Sequence, residues 1–90
     1  MTLIEAVQQL AKFDDDLTIY ARDPWGPSTE VKLAVEGSEE EKKAKSVRLR
    51  YFLEVSIARE FLEDWRATQK KTPTDEQSCA RLIDYATNDA

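Results

Sequence analysis

The chain has 90 residues, with 13 Lys and Arg against 18 Asp and Glu, no His, a single Cys and a formal net charge of −5. A chain of this length is expected to form one domain that buries about 60–65% of its unfolded surface, leaving a core with little redundancy. Cys79 alone excludes an intramolecular disulfide, no apolar run approaches the roughly 18 residues of a membrane span, and the acidity argues against a protein built to wrap duplex nucleic acid.

Thr2-Leu3-Ile4-Glu5 has the T-x-x-E form of a capping box and predicts a helix start. Leu3, Val7 and Leu10, flanked by Ile4, Ala6 and Ala11, make one apolar stripe that ends near Phe13, where Asp14-Asp15-Asp16 breaks it. This amphipathic start lacks the basic residues and unbroken apolar stretch of a secretory signal, so a cytoplasmic location is expected. From Leu17 the period becomes two, with Leu17, Ile19 and Ala21 on one face and Thr18, Tyr20 and Arg22 on the other. Asp23-Pro24-Trp25-Gly26 fits a type I turn, with Trp25 either a lid on the protein's own core or an anchor for a partner. Val31, Leu33 and Val35 alternate with Lys32, Ala34 and Glu36, and Gly37 then stops the strand.

The segment "GSEEEKKAKS" has no apolar stripe and reads as a solvated connection. "VRLRYFLEV" predicts the central strand, with Val47, Leu49, Tyr51, Leu53 and Val55 inward and Arg48, Arg50, Phe52 and Glu54 outward. Ser56 then caps a helix carrying Ile57, Ala58, Phe61, Leu62 and Trp65, and Thr72-Pro73 begins a last helix with Cys79, Leu82, Ile83 and Ala86. The order α-β-β-β-α-α predicts a single α+β domain over residues 1–90. Its form is a two-layer sandwich, a three-stranded antiparallel sheet with helices packed on one face.

An open sheet face would expose Tyr20, Ala34 and Phe52 among Arg22, Lys32, Arg48, Arg50, Glu36 and Glu54, four positive charges against two negative. That surface suits a homodimer contact or single-stranded nucleic acid held by stacking and phosphate pairing. With no His and one Cys, a Ser/His/Asp or Cys/His nucleophile system cannot be assembled and zinc is not expected. Two glycines do not make a phosphate loop, and no cofactor, metal or catalytic constellation is predicted. Glu60, Glu63 and Asp64 form an acidic helix face, near Arg59 and Arg66 as candidates for i,i+3 and i,i+4 pairs. Cys79, on an apolar stripe, reads as an inert buried thiol.

"DPW" after the first strand, "YFLEVSIA" and "LIDYATNDA" resemble the pattern of a family of small bacterial proteins that carries no established activity. The resemblance implies structural motifs and transfers no catalytic residue. The family pattern continues in a short apolar tail where this chain ends. Small acidic proteins of this kind are associated with immunity or antitoxin roles, or with mobile-element cargo.

The expectation is a non-enzymatic interaction module, of the kind that inhibits a basic protein partner, with single-stranded nucleic-acid binding on the open sheet as the alternative. Glu60, Glu63 and Asp64 would carry the first, and Trp25, Tyr20, Phe52 and Arg50 the second or a contact with another copy. No membrane partner is expected.

Overall fold

The computed structural model describes residues 1–89; Ala90, the last residue of the expected domain and of the closing motif, lies outside the described residues. Helix α1 (Leu3–Gln8) starts where the capping box places it: Thr2 Oγ1 accepts from Glu5 N, and Glu5 Oε1 accepts from Thr2 N at 2.8 Å. A 3-10 turn, Leu10–Lys12, carries the stripe onward. Strands β1 (Leu17–Arg22) and β2 (Val31–Val35) follow as expected.

The connection "GSEEEKKAKS" is not a solvated coil but helix α2 (Glu39–Ser46). Gly37 turns the chain at φ 82°, Ser38 Oγ accepts from Glu41 N, and three glutamates in the first turn with Lys43 and Lys45 in the last oppose the helix dipole. Strand β3 (Leu49–Glu54) then leads directly into α3 (Val55–Ala67), with Glu54 rather than Ser56 at the cap position. Helix α4 (Asp75–Asn88) is capped by Thr74, whose hydroxyl accepts from Gln77 N at 3.1 Å.

The three strands form an antiparallel sheet in an α+β fold, but the order is β2-β1-β3, so β1 and not the "VRLRYFLEV" strand is central. Both neighbours run antiparallel to β1 and hence parallel to each other. A parallel return needs a crossover, and α2 supplies it. The helix therefore alters the expected element order and also lies across the sheet face that was expected to be open. Tyr20 (1% exposed), Ala34 (2%) and Leu49 (1%) pack there with Ala44 (0%) of α2.

On the opposite face Ile19, Ala21, Val31, Phe52 and Leu53 join Leu3, Val7, Ala58, Leu62, Cys79 and Leu82 in the main core. Phe52 belongs to that core because β3 carries a bulge. Ile19 pairs with Leu53 and Tyr20 with Tyr51, leaving Phe52 as the extra residue. An extra residue resets a period of two, so Phe52 and Leu53 both turn to the main core while Leu49 packs with Tyr20 on the other face. The assignment of Tyr20 and Phe52 to a wet surface is thus overturned twice, by a covering helix for Tyr20 and by a bulge for Phe52. A sheet-to-sheet homodimer contact through these rings loses its surface for the same reason.

Candidate interaction surfaces

The loop around Trp25 is tied to the start of the chain. Leu3 N donates to Thr29 O and Val31 N to Met1 O, each at 2.8 Å, and Ile4 N donates to Pro27 O at 2.9 Å. The hydrogen-bonded turn is Gly26-Pro27-Ser28-Thr29, closed by Thr29 N on Gly26 O, rather than the expected Asp23-Pro24-Trp25-Gly26. Thr29 Oγ1 also accepts from Gly26 N at 2.7 Å and donates to Pro24 O at 3.0 Å. The loop thereby lays the Trp25 ring edge-on against Phe52, centroids 4.7 Å apart and planes at 83°. Trp25 is half-buried and caps the end of the core, with its indole Nε1 buried and unpartnered among the described residues.

On α3, Glu60, Glu63 and Asp64 are all exposed. The arginines beside them in sequence make their polar contacts with other groups, although both line the same depression as Glu63. Arg59 pairs with Asp15 and donates to the carbonyls of Leu10, at 2.9 Å, and Phe13, fastening α3 to the end of the 3-10 turn. Arg66 Nε donates to Ser78 Oγ on α4 at 3.4 Å. Among the described residues none of the three carboxylates forms an ion pair within 4 Å. Glu60 and Asp64 flank a notch of about 260 Å³ whose remaining walls are Ile57, Phe61 and Tyr85. Phe61 and Tyr85 stack at 4.1 Å, and Arg81 stands 5.0 Å from the Phe61 ring centre. Glu63 points to a separate depression between α3 and the N-terminal segment, so the structure brings together two of the three expected carboxylates.

Sequence reasoning placed arginines on a basic sheet face but missed that Lys45 of α2 and Tyr51 join them in a second surface. Arg22, Lys45, Arg48 and Arg50 line one groove of about 750 Å³ with Asp23, Leu49 and the half-exposed ring of Tyr51. Of the residues expected on the open sheet side, Arg22, Arg48 and Arg50 are here, whereas Lys32 is not and Tyr20 and Phe52 are buried. Arg50 Nη1 pairs with Asp23 and Arg22 with Glu30, both at 2.8 Å, and Lys45 lies 3.5 Å from Glu41. Hydrogen bonding and charge from Arg22 hold the Glu30 carboxyl below its usual range.

Two buried groups have structural partners rather than reactive ones. The Tyr20 hydroxyl donates to Glu41 Oε2 at 2.5 Å; burial first, and this bond second, push the phenol up, while the same bond holds the Glu41 carboxyl down. Burial pushes the Cys79 thiol up to about 11. Among the described residues no group of three His, Cys, Asp or Glu side chains is placed to hold a metal ion, and no helix is long and apolar enough to cross a membrane. No family model, no curated protein and no solved structure matches the chain.

Proposed function

We propose that the chain is a non-enzymatic interaction module whose α3 face receives a basic segment of a protein partner, in the manner of a small inhibitor. The observation that supports this is that Glu60, Glu63 and Asp64 are exposed and form no ion pair among the described residues, Arg59 pairing instead with Asp15 and Arg66 donating to Ser78, although both arginines stay beside Glu63. Unpaired carboxylates keep their field for an incoming cation, and such complementarity mainly speeds association and selects partners. The notch between Glu60 and Asp64 adds an aromatic wall, against which a partner's arginine would gain both ion pairing and a cation–π contact.

The test is titration with an arginine-rich peptide, followed by amide shifts at about 50 mM salt, where surface charges interact beyond 10 Å. Shifts should centre on Glu60, Phe61 and Asp64, weaken as salt rises, and disappear in Asp64→Arg. Binding that is insensitive to salt, or unchanged by that reversal, overturns the proposal.

A further inference from the structure

We infer that the groove between β1, the end of α2 and β3 is a site for a nucleotide unit, with Arg48 as its phosphate contact and Tyr51 as its base platform. The groove lies in a chain of net charge −5, yet its lining holds four cations and one carboxylate. Its volume, about 750 Å³, falls within the ~300–1,000 Å³ range of small-ligand sites.

Arg48 is the distinctive residue. It follows the last turn of α2 with φ 67°, the left-handed conformation in which helices usually end on glycine. Its backbone N donates to Lys45 O at 3.0 Å, closing the helix end, so the position itself requires this conformation. A side chain there is strained, and strain of this kind persists where the site over-determines it. Within the described residues the Arg48 guanidinium forms no ion pair, so its charge is left for a ligand.

The other cations support an anion here without being free themselves. Arg22 spends Nε and Nη2 on Glu30, and Arg50 spends Nη1 on Asp23, leaving further guanidinium donors on each. The pairs are exposed, hence weak, and orient the guanidiniums more than they neutralise them. Tyr51 is 46% exposed in the same groove, an aromatic surface suited to stacking on a base. Phosphate contacts together with an aromatic platform define a nucleotide, whether free in solution or part of a single strand.

The experiment follows amide and tyrosine-ring shifts of the whole chain on adding thymidine 5′-monophosphate, 2-deoxyribose 5-phosphate or an oligo(dT) octamer, at about 50 mM salt. The mononucleotide or the octamer should shift Arg48, Leu49, Arg50 and Tyr51. Arg48→Gly should weaken binding about tenfold or more while raising the melting temperature, because glycine relieves the left-handed strain. Tyr51→Ala should weaken nucleotide binding but leave the sugar phosphate unaffected. Equal per-site affinity for monomer and octamer identifies a free nucleotide. Octamer-only binding with a steep salt dependence identifies a strand. Sugar phosphate binding as tightly as the mononucleotide, absence of shifts in the groove, or indifference to Arg48→Gly each overturns the inference. Asp64→Arg, which targets the α3 face, should leave nucleotide binding intact, so the two sites are tested separately.

Discussion

Tyr20→Phe removes one hydroxyl from the buried face of the central strand and thereby tests whether α2 is clamped to the sheet. The ring is 1% exposed, and its hydroxyl donates to the Glu41 carboxylate at 2.5 Å. Hydrogen bonds to charged acceptors contribute roughly 1.5–3 kcal/mol. Phenylalanine keeps the packing of the ring, so the loss should fall at about 2 kcal/mol. For a domain of this size that corresponds to roughly 8–16 °C in melting temperature. Thermal and urea melts at pH 7 measure it, with Tyr51→Phe, at a half-exposed side chain, as the control expected to change little.

The same pair sets a pH window. The Glu41 carboxyl is held below its ordinary value, so its contribution is fully present above the carboxylate range of the unfolded chain and is lost as pH falls through the lower folded value. Tyr20 is held above its ordinary value, so the unfolded chain releases that proton first. The contribution is complete below about pH 10 and declines as pH rises further. The difference between wild type and Tyr20→Phe should therefore form a plateau near neutrality and shrink toward both extremes. A loss below about 0.5 kcal/mol at pH 7, the range of ordinary surface substitutions, refutes the clamp.

Trp25→Ala should cost about 2 kcal/mol in a denaturant titration, less than the 3–5 of a fully buried ring, because Trp25 is half-buried against Phe52. An unchanged midpoint would return Trp25 to the role of a partner anchor. Cys79, fully buried with its thiol pushed up to about 11, should react with a disulfide reagent at pH 8 at least ~100-fold more slowly in the native chain than in urea. Equal rates would place the thiol in a locally open segment.

The periodic signals that carried the most information survived into the fold. The inward positions Leu17, Ile19 and Ala21 of β1 and the stripes of α1, α3 and α4 each described a face buried against many apolar neighbours, whereas in β2 only Val31 and Leu33 pack there, Val35 being exposed and Ala34 buried under α2. Helix α2 showed no such stripe, because it buries a single residue, Ala44, and its remaining attachments are polar. Its signal lay in another register: Ser38-x-x-Glu41 repeats the S/T-x-x-E form already used at Thr2, with acid in the first turn and base in the last. The bulge at Phe52 left no comparable mark. "VRLRYFLEV" alternates through it, and only pairing with β1 fixes where the extra residue falls.

The two surfaces differ in legibility for a reason rooted in charge sorting. Glu60, Glu63 and Asp64 are neighbours in sequence and remain neighbours on α3, so their acidity could be read directly. Residues 17–55 sum to zero charge, and only alternation along the strands suggested a basic face within them. Yet α2 carries Glu39 and Glu40 on its first turn and Lys45 toward its last, about 8–9 Å apart along the axis at 1.5 Å per residue and so near the screening length at physiological salt, with only Glu41 reaching Lys45. A coil of the same residues would average these charges away. Helix formation delivers Lys45 and Arg48 to Arg22 and Arg50 from the neighbouring strands and leaves Glu39 and Glu40 in the first turn at the other end. A basic groove on an acidic protein is thus a product of the fold, and the bond from Tyr20 to Glu41 is one attachment of the helix that builds it. If that contact is what holds α2 in place, Tyr20→Phe should loosen the groove as well as the core, with Arg48 and Lys45 losing amide protection together.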